Sequence, residues 1–96
     1  MKYRLEDVPR YQNGSVRPRL AAGIFPQARG VHFVFGTYDE TRRGVPVVLF
    51  DGRKRRGGVF IEDRFKTMMA GDMTRADYML NALLAAYAAQ QSKTET

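Results

Sequence analysis

The chain predicts an α+β fold: a small antiparallel β-sheet of about four to five short strands, followed by one C-terminal helix over about residues 75–91. Three observations carry this. Val31–Tyr38 and Val45–Phe50 are β-branched and aromatic runs, and Val59-Phe60-Ile61 answers the second across a short loop. Asp51-Gly52 and Gly57-Gly58 bound that loop with turn chemistry, which makes residues 44–63 a hairpin. Thr74-Arg75-Ala76-Asp77 is a capping box that opens a wide apolar stripe at helical spacing.

From the N-terminus, Asn13-Gly14-Ser15 is a turn, and Pro9 and Pro18 break any long element, so short strands on either side of that turn are expected. Residues 1–17 read as a basic arm. Arg17-Pro18-Arg19 sits extended, because a residue before proline is pushed out of the helical region, and Arg17 and Arg19 can then track a phosphate backbone. Leu20–Phe25 is a short apolar run and Pro26–Gly30 turns the chain into the strand Val31–Tyr38. Val31, Phe33 and Phe35 share one face of it by the two-residue period. Arg29-Gly30-Val31-His32-Phe33-Val34-Phe35 resembles in part the RNP1 pattern of RNA-recognition strands: Arg29, Gly30, Phe33 and Val34 match, and Val31, His32 and Gly36 do not. Core packing is the first expectation for Phe33 and Phe35. Base stacking by Phe33, Phe35 or Tyr38 is the alternative, and Arg29 joins the cations available to phosphate.

Asp39–Gly44 links this strand to the hairpin, with Gly44 available for a positive φ. Both alternating sets of Val45–Phe50 are apolar, which predicts a strand covered on both faces, with Pro46 at its start or on an edge. Arg53, Lys54, Arg55 and Arg56 fall at the hairpin tip. Four adjacent cations repel one another and add nothing to a core, so a polyanion is their natural partner. Arg42 and Arg43, in the preceding turn, should lie at the opposite end of the sheet.

Glu62–Gly71 reads as a helical turn or a loop closed by Gly71. Met73 and Tyr78 then stand at the positions of a hydrophobic staple around the capping box. Along the helix, Met79, Leu80, Leu83, Leu84 and Tyr87 form the stripe, and from Tyr78 to Gln91 there is no charge. A helix with only Ala and Gln on its outer side predicts a homo-oligomer in which these residues hold subunits together. Residues 92–96 are a polar tail.

The whole composition narrows the partner class. Ninety-six residues make a single domain, and 16 Lys+Arg against 10 Asp+Glu give a formal charge of +6. Twelve of those cations are arginine, whose planar fork binds phosphate bidentately and stacks on bases. Residues 1–70 hold fourteen cations against seven acids, whereas residues 71–96 carry a balance of −1, so the anion should meet the first two-thirds. There is no cysteine and no apolar run of membrane-spanning length, and the N-terminus lacks a secretory h-region; a cytoplasmic protein is expected.

Catalysis finds little support. His32 is the sole histidine, no metal or other cofactor is implied, and no serine sits near a base. Asp51 with Glu62-Asp63-Arg64 resembles the acidic spacing of metal-dependent nucleases, but Arg64 replaces lysine, Phe50 replaces proline, and a hairpin would hold the two carboxylates apart. The order of elements, sheet then helix, is similar to the arm-binding domains of tyrosine recombinases, with no motif shared. The expectation is therefore a non-catalytic, sequence-independent nucleic-acid-binding protein, with single-stranded DNA or RNA favoured over duplex. The alternative is a small accessory or inhibitory protein of the kind phages and mobile elements encode. Such a protein would dock on a nucleic-acid-handling machine such as an RNA polymerase or a CRISPR effector.

Overall fold

Alternation of apolar residues along three consecutive strands builds a meander whose one face the C-terminal helix covers. The computed structural model describes residues 4–8, 10, 12, 14–18 and 30–94. Strand β1 spans Val31–Phe35, β2 Gly44–Asp51 and β3 Lys54–Glu62, in the order β1-β2-β3 and antiparallel throughout. A 3-10 turn at Asp63–Lys66 leads to a two-stranded ribbon, β4 Met69–Ala70 and β5 Met73–Thr74, and then to helix α1, Arg75–Thr94. The five strands among the described residues match the expected number, and the 3-10 turn is the helical turn expected within Glu62–Gly71, but the ribbon that follows it was not expected. The helix also runs three residues further than predicted, into the polar tail.

The N-terminal segment adds to the sheet at its β1 side. Arg10 and Val16 form an antiparallel bridge, in keeping with the turn predicted between them, and Val16 exchanges backbone hydrogen bonds with Phe33 at 2.6 and 2.5 Å. A 3-10 turn at Leu5–Asp7 is tied to the helix by the Leu5 N–H, which donates to the Asp77 carboxylate. The expectations for Arg19, Leu20–Phe25 and Arg29 lie outside the described residues.

The helix starts where its cap dictates. Thr74 Oγ1 accepts from the Asp77 N–H at 3.2 Å and donates to the Asp77 carboxylate at 2.9 Å, which satisfies one of the orphan donors of the first turn. Met73 is buried beside this cap while Tyr78 stays exposed, with the Arg75 guanidinium 5.3 Å from its ring centre.

Packing settles which helix face is which. Ala76, Leu80, Leu84, Tyr87 and Ala88 are buried against Val8, Val16, Val31, Phe33, Val47, Leu49 and Ile61. Burying a leucine fully is worth about 1.5–3 kcal/mol, so Leu80 and Leu84 are major contributors. Close approach of helix to sheet is permitted at Gly57, where a Cβ would lie 2.9 Å from Leu83 Cδ1. Gly57 and Gly58 are thus strand residues with a packing role; the loop-bounding role predicted for them belongs to Gly52, at φ +62°.

The prediction that Val45–Phe50 is covered on both faces is corrected. Val47 and Leu49 are buried under the helix, but on the other face Pro46 is exposed, and Val48 and Phe50 are only half-buried. One helix can cover one face of a three-stranded sheet, and among the described residues no second element packs on the other side.

Candidate nucleic-acid interface

The basic residues of the hairpin are distributed by its register. Only Gly52 and Arg53 form the turn; Lys54, Arg55 and Arg56 already belong to β3, which corrects the expectation of a four-cation loop. The pairs Asp51↔Lys54, Phe50↔Arg55 and Leu49↔Gly57 leave Arg56 as an extra residue, a β-bulge that turns consecutive side chains in different directions. Arg55 shares its face with Phe50, and its guanidinium lies over Gly58, where a Cβ would stand 3.3 Å from Arg55 Nη2. Arg56 instead reaches the helix side, 5.6 Å from the centre of the Tyr87 ring.

Tyr87 anchors that side. Its hydroxyl donates to the Asp51 carboxylate, and burial, reinforced by this hydrogen bond and the nearby negative charge, pushes its pKa above the ordinary tyrosine value. Arg53, Lys54 and Arg55 are exposed, and none is ion-paired with a carboxylate among the described residues, unlike Arg64, which pairs with Glu62 at 3.3 Å, and Lys66, which pairs with Asp63 at 3.9 Å.

Arg42 and Arg43 occupy the other end of β2, about 24 Å away for a strand of eight residues. Their turn is closely held. Asp39 N–H donates to Gly44 O at 2.8 Å and Gly44 N–H to Asp39 O at 3.2 Å, while the Asp39 carboxylate accepts from Thr41 and Arg42 N–H at 3.0 and 3.1 Å. Arg43 O accepts from Asp63 N–H at 2.9 Å. This network keeps Arg43 at φ +53°, a left-handed conformation that non-glycine residues adopt at a cost. The positive φ expected at Gly44 is therefore at Arg43. Gly44 is required for space, because a Cβ there would meet Ile61 O at 2.5 Å and the Phe60 ring at 2.6 Å.

The turn delivers Arg42 onto Phe60, with its guanidinium carbon 3.7 Å from the ring centre. Nearby, the exposed Tyr38 hydroxyl donates to Asp63, and that hydrogen bond is the main cause holding its pKa above the ordinary value. Arg17 is exposed, next to the bridge residue Val16.

Phe33, 1% exposed, lies in the core, which is the first expectation for it, so the alternative of base stacking is closed to it. Phe35 packs against the same core with the Arg10 guanidinium 5.4 Å from its ring, which leaves Tyr38 as the exposed member of the three. Leu80, Leu84 and Tyr87 are consumed by the sheet and cannot form a subunit interface; Met79 and Leu83 are half-buried against the same core. Among its described side chains the helix exposes Arg75, Tyr78, Ala82, Ala85, Ala86, Ala89 and Gln90.

The aromatic residues that sequence reasoning missed are on the sheet face opposite the helix: His32, stacked on Phe50 with ring centres 5.8 Å apart and planes 18° from parallel, and Phe60 under Arg42. The signal was parity. With Val31, Phe33 and Leu49 inward, His32, Phe50 and their alternates must point outward.

Asp51 and Glu62 lie at opposite ends of the hairpin, and among the described residues no group of three or more His, Cys, Asp or Glu could hold a metal ion. No described helix is long and apolar enough to cross a membrane. No protein-family model, curated protein or solved structure matches the chain.

Proposed function

We propose that this chain is a non-catalytic, sequence-independent nucleic-acid-binding protein that meets phosphates with Arg53, Lys54 and Arg55 at one end of the central hairpin and with Arg42 and Arg43 at the other. The observation that carries the reading is the set of exposed cations at residues 53–55, which have no carboxylate paired to them among the described residues. Clustered like charges destabilise the free protein, and neutralisation by a polyanion relieves that cost while releasing condensed counterions. Arginine's bidentate fork suits phosphate oxygens, and neither end of the hairpin presents a helix that could read bases in a major groove.

The test is fluorescence anisotropy with single-stranded and double-stranded oligonucleotides across a salt series. Binding should weaken steeply with salt, and replacing Arg53, Lys54 and Arg55 with Ala should flatten the log–log slope by about two to three units, at roughly 0.7–0.9 per phosphate contact. Arg56→Ala should flatten the slope by less than the loss of any of these three, because that side chain, though exposed, is turned to the helix side beside Tyr87. Absence of binding at low salt would overturn the reading and turn attention to a protein partner.

A further inference from the structure

The face of the sheet opposite the helix carries one continuous strip. By register, His32 stands beside Phe50, Val34 beside Val48, and Pro46 beside Phe60, so these six side chains project on the same side. His32, Val34, Val48, Phe50 and Phe60 are half-buried and Pro46 is exposed, in contrast to their inward alternates Val31, Phe33, Val47 and Leu49, at 0–1% exposure. Each end of the strip closes with an arginine: Arg55 beside Phe50, lying across Gly58, and Arg42 over Phe60, its guanidinium carbon 3.7 Å from the ring centre. Glu62, in register on this face, is already tied to Arg64. Phe50 and Phe60 sit about 13 Å apart along the strand direction, too far for one base to touch both.

An aromatic and aliphatic floor bounded by guanidinium groups has the chemistry of a single-stranded nucleic acid: π-faces for unpaired bases, cations for the phosphates between them. A duplex keeps its bases stacked inside and offers this floor nothing. An acidic protein would satisfy the arginines without using the parallel His32 and Phe50 rings.

We propose that this face binds several consecutive nucleotides of a single strand, with the His32–Phe50 pair and the Arg42–Phe60 stack as two base-stacking platforms and Arg55 and Arg42 holding the backbone at either end. The proposal rests on the nucleic-acid reading above and sharpens it to unpaired strands.

The test uses the full chain with Phe50→Leu, which keeps apolar bulk on the strand and removes the ring, and with Phe50→Trp, a single reporter because the sequence has no tryptophan. Wild type should bind an unstructured oligonucleotide more tightly than a duplex of equal length. Phe50→Leu should lose roughly 5- to 150-fold of single-strand affinity, the range for one stacked base, with the salt slope unchanged. The indole emission of the Phe50→Trp variant should be quenched on titration with the same oligonucleotide. Undiminished affinity in Phe50→Leu, or unquenched emission at saturation, would overturn the stacking face while leaving the phosphate reading intact. Failure of wild type to bind either oligonucleotide would overturn both.

Discussion

Replacing Gly44 with alanine separates two reasons for which a strand end can require glycine. Its φ is not positive, so any cost is one of space. The added Cβ would stand 2.5 Å from Ile61 O and 2.6 and 2.8 Å from Phe60 Cε1 and Cζ. Carbon contacts are comfortable near 3.5–4.0 Å, so these are about 1 Å too close. Ile61 O belongs to the β2–β3 ladder and cannot retreat without parting the strands, and Phe60 is held under Arg42. Overpacking of this kind costs about 1–3 kcal/mol, which for a chain of this size lowers Tm by about 5–20 °C. Gly52→Ala is the control: nothing lies within 4 Å of its Cβ, and its cost is the conformational one of a left-handed residue, about 1 kcal/mol. Thermal unfolding followed by circular dichroism gives both values. Because Phe60 must rotate, Gly44→Ala should also weaken single-strand binding, whereas Gly52→Ala should not. A Gly44→Ala protein that melts within about 2 °C of wild type would refute the crowding argument, since even the low end of the range predicts more.

Two further outcomes follow from strain and from titration. Arg43→Gly should raise stability by about 1 kcal/mol, because glycine tolerates the φ of +53°, while reducing the salt slope of nucleic-acid binding by about 0.7; urea denaturation and anisotropy check the two effects, and a destabilised variant would contradict the strain. Tyr87 holds its proton more tightly folded than unfolded, through burial first and its hydrogen bond to Asp51 second. Its contribution to stability is therefore complete below the unfolded value of about 10 and is lost as pH rises from there through the higher folded value. Tyr87→Phe should cost about 1 kcal/mol near pH 8 and show a shallower alkaline decline in urea midpoint, with the share due to Tyr38 retained. Identical alkaline slopes for the two proteins would refute it.

The sequence made some elements legible because their signals are local. The capping box at Thr74–Asp77, the apolar runs of β1 and β2 and the Asp51-Gly52 turn each depend on residues within one turn or one strand. The opposite placement of Arg42-Arg43 and Arg53 follows from the same local logic, since a hairpin must carry its connections at alternate ends. The ribbon Met69–Thr74 was not legible: two-residue strands have too little pattern to distinguish them from a loop.

Other features depended on contacts between residues distant in the chain. The apolar stripe of α1 and the absence of charge on its far side are local facts, but whether Leu80, Leu84 and Tyr87 meet a sheet or a second subunit is decided by where the helix docks. Gly44 and Gly57 look like conformational glycines until Phe60 and Leu83 are seen to occupy their missing side-chain space. The same is true of the stacking candidates.

Length, charge, arginine bias, strand periodicity and the helix cap were thus determined by the sequence itself, because each is a property of composition or of neighbours within a few positions. Only the tertiary structure decided that His32, Phe50 and Phe60 line the sheet face opposite the helix, and that Arg55 and Arg56 part company across the hairpin. The physical reason is register. A period of two says that alternate side chains oppose one another, but the bulge at Arg56 and the pairing of β2 with both its neighbours choose which rings and cations share a side. The single helix then chooses which side is buried.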